Sequence, residues 1–287
     1  MAHEIRIGTR KSKLAMKQTK MVEEAIEKTN PNLQTIPVPF HTRGDKILDK
    51  PLWEIGNAGL FASEFEEMIW NGEIDVAVHS GKDLPLRLAE GLSILAVLER
   101  DDPRDVLVMP KGRKAEDCRI IGTGSLRRIE FASSVFPKAE CRLIRGNVHT
   151  RLQKMMAGEY DGIILAKAGL DRLGIVEGEL YAFRVLATAE FLPAACQGII
   201  VVEGNEKWQK TIAPINHMPT FFVFETEREV LTSLNIDCSE PAAVFAELIG
   251  ENIRLRAMYG KKRAEGIAPI ENRLELAREL VRRLRWK

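Results

Sequence analysis

The chain has 287 residues, long for one domain, and 45% of them are apolar, enough for more than one core. Its 42 Lys and Arg against 41 Asp and Glu leave a net charge of +1, which removes the broad basic excess of a nucleic-acid or membrane-surface protein, so an anion site here must be a local concentration of charge. No stretch approaches the roughly 18 apolar residues of a membrane span, and Met1 to Arg6 has no hydrophobic signal region, so a soluble, cytoplasmic protein is expected.

Glu4 to Ile7 reads as a short strand. Ser12 to Lys28 reads as a helix with Leu14, Met21, Val22, Ala25 and Ile26 on its apolar face and Gln18 as a polar exception. A second strand, around Thr35 to His41, follows the Asn30-Pro31-Asn32 break. Ser63-Glu64-Phe65-Glu66 has the form of a capping box, so a helix is predicted from there through Trp70, closed by Asn71-Gly72. Ile74 to His79 is predicted as a mostly buried strand. It runs into His79-Ser80-Gly81-Lys82-Asp83-Leu84-Pro85, a polar turn where Pro85, which has no N–H, stops the ladder. Turns at strand ends line the ligand crevice of open α/β sheets, which makes this one a place for chemistry.

The middle third repeats the plan. Arg119 to Ile121 is a predicted strand, Gly122-Thr123-Gly124-Ser125 a turn and Leu126 to Val135 a helix. Cys141 to Ile144 is a strand leading through Arg145-Gly146-Asn147 into a helix with Val148, Leu152, Met155 and Met156 inward, stopped by Gly158. Asp161 to Leu165 is a further strand, followed by a helix carrying Ala168, Leu170 and Leu173. Ile7-Gly8-Thr9-Arg10-Lys11-Ser12 and Ile121-Gly122-Thr123-Gly124-Ser125 look alike, each placing hydroxyls and backbone N–H groups at a helix N-terminus, where anions bind. This predicts two related α/β lobes facing one cleft, with Glu99 to Arg104 as one crossing and the Leu192-Pro193 region as the return. After about His217 the pattern becomes a helix (Phe224 to Leu234), a hairpin (Ala242 to Leu248 and Ile253 to Tyr259) and an amphipathic helix from Asn272 to Trp286 with Ala277, Leu280, Val281 and Leu284 inward. The expected organisation is a first α/β lobe from 1–98 plus 194–215, a second from 99–193, and a small α+β domain from 216–287.

Arginines collect at the strand-to-helix corners: Arg10, Arg127, Arg128, Arg145 and Arg151, joined by Lys11 and Lys82. Guanidinium groups bind carboxylates bidentately, so their convergence on one cleft suits a ligand bearing several carboxylates. A solvated charged surface is the plainer account of any one of them. Asp83, beside Lys82, can stay ionised among cations while it stabilises a cationic intermediate or shuttles a proton, although Asp is also common in turns. Cys118, Cys141, Cys196 and Cys238 fit neither a zinc ribbon nor a disulfide scaffold, and the five histidines show no ligand pairing, so no metal is expected. Lone cysteines are mostly small buried hydrophobes, but Cys238 stands in a polar loop, Asn235 to Pro241, where a thiol can be reached.

These stretches, with Thr42-Arg43-Gly44-Asp45, Gly59-Leu60-Phe61, Asp75 to Pro85, Glu99 to Asp105, Arg145 to Leu152 and Ala168 to Gly174, resemble the hydroxymethylbilane synthase (porphobilinogen deaminase) family from Ile5 to about Tyr259, in the same order throughout. The resemblance implies two lobes similar to periplasmic binding proteins flanking a cleft, plus the small C-terminal domain. It implies a dipyrromethane cofactor joined by a thioether to Cys238, and condensation of four porphobilinogens into the linear tetrapyrrole hydroxymethylbilane, with release of ammonia. Asp83 matches the catalytic aspartate, offsetting the cationic azafulvene and assisting the leaving amine. Cofactor contacts fall on Lys82, Ser12, Thr123, Ser125, Arg127, Arg128, Arg145, Gly146 and Arg151. Substrate contacts fall on Arg10, Arg145, Arg151, Arg172 and Gln197. A monomer without nucleic-acid or membrane partners is implied. The chain departs from the family's usual residues at Ala58 and Ser63 (lysines), Ile236-Asp237 (a glycine pair), Cys196 (glycine), Gly124 (serine) and Lys13 (proline). A non-catalytic two-lobed carboxylate receptor is the competing function.

Overall fold

The computed structural model describes residues 4–40, 62–236 and 240–285. Thr42 to Asp45, Ala58, Gly59 to Phe61 and Cys238 therefore lie outside the described residues. β1 (Glu4–Arg10) is longer than its apolar pattern indicates, because β2 (Gln34–Phe40) pairs with it in parallel from Glu4 opposite Gln34 to Arg10 opposite Phe40. Between them runs α1 (Lys13–Thr29), capped by Ser12, whose side chain accepts from the Ala15 N–H at 3.2 Å. The polar exception on its inner face, Gln18, is buried and donates Nε2 to Ser80 Oγ at 2.8 Å.

α2 (Ala62–Trp70) begins two residues earlier than the capping-box reading, with Ser63 as the cap, requires. Ser63 is thus inside the helix and exposed, and Glu66 accepts from the Ala89 N–H at 2.9 Å instead of reaching back to a cap. β3 (Val76–Ser80) follows, then β4 (Leu92–Val97), β5 (Asp105–Pro110), β6 (Ile120–Gly122), α3 (Leu126–Val135), β7 (Glu140–Arg142), α4 (Val148–Met156), β8 (Gly162–Ala166), α5 (Lys167–Arg172), β9 (Tyr181–Leu186) and β10 (Ile200–Asn205). Met156, expected to face inward on α4, is 46% exposed, because the helix ends there and Leu152 and Met155 fill its inner face.

The two five-stranded sheets have one plan, β2-β1-β3-β10-β4 and β7-β6-β8-β5-β9. The leading three strands of each are parallel, and the fourth is antiparallel to both its neighbours. That fourth strand always comes across from the other lobe: β5 enters the second sheet after β4, and β10 returns to the first after β9. The similar segments at Gly8 and Gly122 consequently occupy equivalent places, since Ser12 caps the helix after β1 and Ser125 caps the helix after β6.

α6 (Met218–Leu234), the meander β11 (Ala242–Ile249), β12 (Asn252–Tyr259) and β13 (Lys262–Pro269), and α7 (Arg273–Arg285) complete the chain. Side chains alternate across this small sheet. Val244, Ala246, Ile253, Leu255 and Ala257 join Leu276, Ala277, Leu280, Val281 and Leu284 of α7 in one core. Ala243, Phe245 and Met258, on the opposite face, pack with Phe131 and Phe191 of the second lobe. The first core also takes in Leu84, Cys196 and Val201 from the first lobe, so the small unit is wedged against both. Among the described residues no helix is long and apolar enough to cross a membrane.

Candidate active site

The turn after β3 becomes a single 3-10 turn, Gly81–Asp83, with Lys82 and Asp83 half-buried. It is fastened from below by the Gly81 N–H, which donates to Ile199 O at 2.8 Å. Its exit is held by Arg228 of α6, whose Nη2 donates to Pro85 O at 2.6 Å and Leu86 O at 2.9 Å. Beneath it His79 Nε2 lies 2.9 Å from Glu203 Oε2, both side chains buried. Asp83 is therefore presented by a turn anchored at both ends.

Opposite stands the second lobe. Arg127 and Arg128, the second and third residues of α3, turn inward and are only 4% and 7% exposed. Both end on Asp105, the opening residue of β5, which is fully buried: Arg127 Nη2 donates to Oδ2 at 2.7 Å, and Arg128 donates Nη2 to Oδ1 at 2.8 Å and Nε at 3.2 Å. Arg127 also donates to Leu192 O at 2.7 Å and Arg128 to Ile164 O at 2.9 Å. Burial opposes ionisation of Asp105, but the two guanidinium groups overcome it and bring the carboxyl down to about 2.

Arg145 and Gly146 lead into α4, and Arg151, one turn along, folds back to donate Nε to Gly146 O at 2.7 Å. Gly146 has φ of +111°, and a Cβ there would come within 2.9 Å of Thr150 Cγ2, so only glycine permits this close return. Desolvation, and then the neighbouring charges of Arg128 and Arg145, push Arg151 down to about 10, with Asp83 acting the other way. Burial likewise lowers Arg145. Lys82 falls to about 8, through desolvation first and Arg128 next, offset by Asp83 and Asp105. Cations thus outnumber the carboxylates Asp83 and Asp105 that they act on, at a cost that an acidic ligand would relieve.

The other expected contacts divide into those at this cleft and those in its framework. Arg10 is half-buried at the end of β1. Ser12 and Ser125 cap helices, the latter accepting from the Arg128 N–H at 3.5 Å. Thr123 is fully buried and accepts from the Ser125 N–H at 3.3 Å. Arg172 and Gln197 lie where the two crossings meet. Arg172 Nε donates to Asp101 Oδ2 at 2.8 Å and Nη2 to Gly198 O at 2.6 Å. Gln197 Nε2 donates to Pro103 O at 2.7 Å and Asp105 Oδ1 at 3.1 Å, while its Oε1 accepts from Lys82 Nζ at 3.4 Å. Cys238 falls outside the described residues.

Asp105 has no counterpart among the residues singled out from the sequence. Its signal was nonetheless there: a lone acid opening the apolar run Val106 to Met109 must be buried, and a buried carboxylate needs cations.

The chain matches the family model described as "Porphobilinogen deaminase, dipyromethane cofactor binding domain" over residues 5–213. It is 43% identical over 260 residues to the porphobilinogen deaminase of Acetivibrio thermocellus, covering 90% of this chain and 88% of that one. To the porphobilinogen deaminase of Ruminiclostridium cellulolyticum it is 39% identical over 287 residues, covering 98% and 97%. Among solved structures it is similar to the periplasmic aliphatic sulphonate binding protein of Escherichia coli at 14% identity, with a TM-score of 0.43, covering 81% of this chain and 70% of that one.

Proposed function

This chain belongs to the porphobilinogen deaminase family, and on that premise we propose how its residues divide the work of a hydroxymethylbilane synthase. The reaction is a transferase step of tetrapyrrole (heme) biosynthesis: four porphobilinogen molecules condense head to tail into hydroxymethylbilane and ammonia is released. The family's dipyrromethane cofactor, when bound, supplies the terminal pyrrole from which the chain is extended. The donor set fits such a group. Burial, and then Arg128 and Arg145, lower the basicity of Arg151, and burial and then Arg128 lower that of Lys82, so acetate and propionate arms would relieve repulsion among these cations.

Asp83 is the catalytic carboxylate in this reading. It accepts the pyrrole N–H groups, offsets the positive charge that develops as the amine departs, and assists the proton transfer to that amine. Arg145 and Arg151 hold carboxylate arms from the second lobe, with Arg10 and Lys82 opposing them from the first. Ser12, Thr123, Ser125 and Gly146 shape the helix entrances beside those arms. Arg127 and Arg128 act chiefly from the wall, where Asp105 holds them, and Arg172 acts at the crossings, where Asp101 holds it. Cys238 is the attachment residue. We read the unit limits as 1–98 plus 194–215, 99–193 and 216–287, and the protein as a cytoplasmic monomer without a nucleic-acid partner. The non-catalytic receptor reading is not favoured, since the family match carries enzymes.

The observation that supports this assignment above others is the fixed presentation of Asp83 on a turn held at one end by the Gly81 N–H on Ile199 O and at the other by Arg228 on Pro85 O and Leu86 O. Asp83→Ala tests it. Intact mass should still show the cofactor on Cys238 while porphobilinogen consumption collapses, and a variant turning over at the wild-type rate would remove Asp83 from the mechanism.

A further inference from the structure

Gln197 is 1% exposed and lies on the return crossing, between a donor-only ammonium and an acceptor-only carboxylate. That pairing allows one orientation of the amide: Oε1 towards Lys82, Nε2 towards Pro103 O and Asp105. Asp105 in turn is saturated. Oδ1 accepts from Arg128 and Gln197, and Oδ2 accepts from Arg127. An unbroken polar chain thus runs from the residue next to Asp83, in the first lobe, to the start of α3 in the second.

We propose that Asp105 is a positioning residue which, through Gln197, holds Lys82 and with it the Asp83 turn in register with Arg127 and Arg128 across the cleft. The proposal rests on Asp83 being the reaction centre and gives Gln197 the role of a bridge between lobes rather than of a substrate ligand. The physical ground is that each hydrogen bond in the chain has a charged end, so a shift of one lobe by a fraction of an ångström leaves a buried charge poorly solvated. The lobes also touch at the crossings, where Arg172 donates to Gly198 O and Arg100 to Gln197 O, and through apolar contacts such as Leu14 near Gly169, where a Cβ would sit 3.6 Å from Leu14 Cδ2. Of these, the polar chain through Gln197 is the one that reaches the residue next to Asp83.

The test uses holoenzyme with its cofactor loaded, confirmed by intact mass, and follows kcat, KM and the pH-rate profile. The groups that set the charge state of Lys82 are Arg128 and Arg127, which disfavour the ammonium, and Asp83 and Asp105, which favour it, beside the Gln197 amide. Wild-type turnover should fall as pH rises through about 8, the value for Lys82. Gln197→Met removes the acceptor, so this alkaline limb should move to lower pH, and kcat should drop about 10- to 100-fold, the scale of a misaligned reacting group, with KM little changed. Gln197→Glu places a carboxylate against the ammonium, so the limb should move to higher pH. Asp105→Asn should shift it in the same direction as Gln197→Met. Where that variant does not fold, the two Gln197 variants decide alone. An alkaline limb unmoved in both, or a rise in KM at unchanged kcat, overturns the proposal. If Asp83→Ala is inactive in the same assay, only the bridge has failed; if Asp83→Ala is fully active, the reading beneath it has failed as well.

Discussion

Arg100 Nη1 lies 2.7 Å from Glu227 Oε1, joining the outgoing crossing to α6 of the small C-terminal unit. Glu227 is fully buried and also accepts from the Ala246 N–H at 2.7 Å and from the Cys196 N–H, so one carboxylate ties the crossing, the return and β11 together. Arg100 completes the joint by donating Nε to Gln197 O at 2.8 Å and lying over Phe245, 5.0 Å from the ring centre. Removing one partner leaves the other charge buried. Arg100→Ala should therefore lower unfolding free energy by about 3 to 5 kcal/mol, measured by urea titration, and a loss below 1 kcal/mol would show that the pair is solvated in solution.

Acid stability should follow Asp105. Its carboxyl lies at about 2 in the folded protein against an ordinary 3.8. The folded state therefore holds the ionised form more tightly than the unfolded chain does. The resulting stability is fully present above about pH 4 and is lost as pH falls through about 2. It amounts to about 2 kcal/mol. Comparing denaturant midpoints of wild type and Asp105→Asn between pH 6 and pH 2 should show the gap narrowing with acid. A constant gap would contradict the assignment.

The crossings meet at backbone distance, which makes Gly198 hard to replace. Its φ is +90°, and a Cβ would fall 2.6 Å from Asp101 O, a backbone atom with no freedom to yield. Gly198→Ala should cost about 1 to 3 kcal/mol of stability from backbone strain alone, and more from the clash. Gly178→Ala is the control, because a Cβ there meets nothing within 4 Å. It should be neutral or stabilising by up to about 1 kcal/mol. Equal melting temperatures for the two variants would refute the close approach.

Arg145 and Arg172 should separate kinetically. Burial alone accounts for the depressed basicity of Arg145, whereas Arg172 makes an ion pair with Asp101 at 2.7 Å. Arg145→Ala should raise KM for porphobilinogen or loosen cofactor retention by about 10- to 150-fold, the equivalent of one lost hydrogen bond to a charged group. Arg172→Ala should instead lower the melting temperature and kcat together, with a smaller change in KM. The reverse pattern would make Arg172 the substrate ligand.

Much of the architecture was legible in the residues. The repeat of a short apolar strand, a hydroxyl-bearing turn and an amphipathic helix foretold both lobes, because period-2 and period-3.6 patterns and helix caps are local properties. β4, β5, β9, β10 and β13 escaped assignment. Val106 to Met109 and Ile200 to Val202 are continuous apolar runs that periodicity cannot tell from helix. β13 carries Lys262, Arg263, Glu265 and Gly266 and is at most half-buried, so no apolar alternation marks it.

Among the charged residues, spacing pointed to cations gathering at strand ends, with Lys82 beside Asp83, the chemistry that suits a ligand rich in carboxylates. They could not say which cations face the cleft. Arg127 and Arg128 point into the wall, because Asp105, over twenty positions earlier in the chain, meets them there. A side chain's type is a local property; its partner, and so whether its charge is already answered, depends on which distant segment the sheet order brings alongside it.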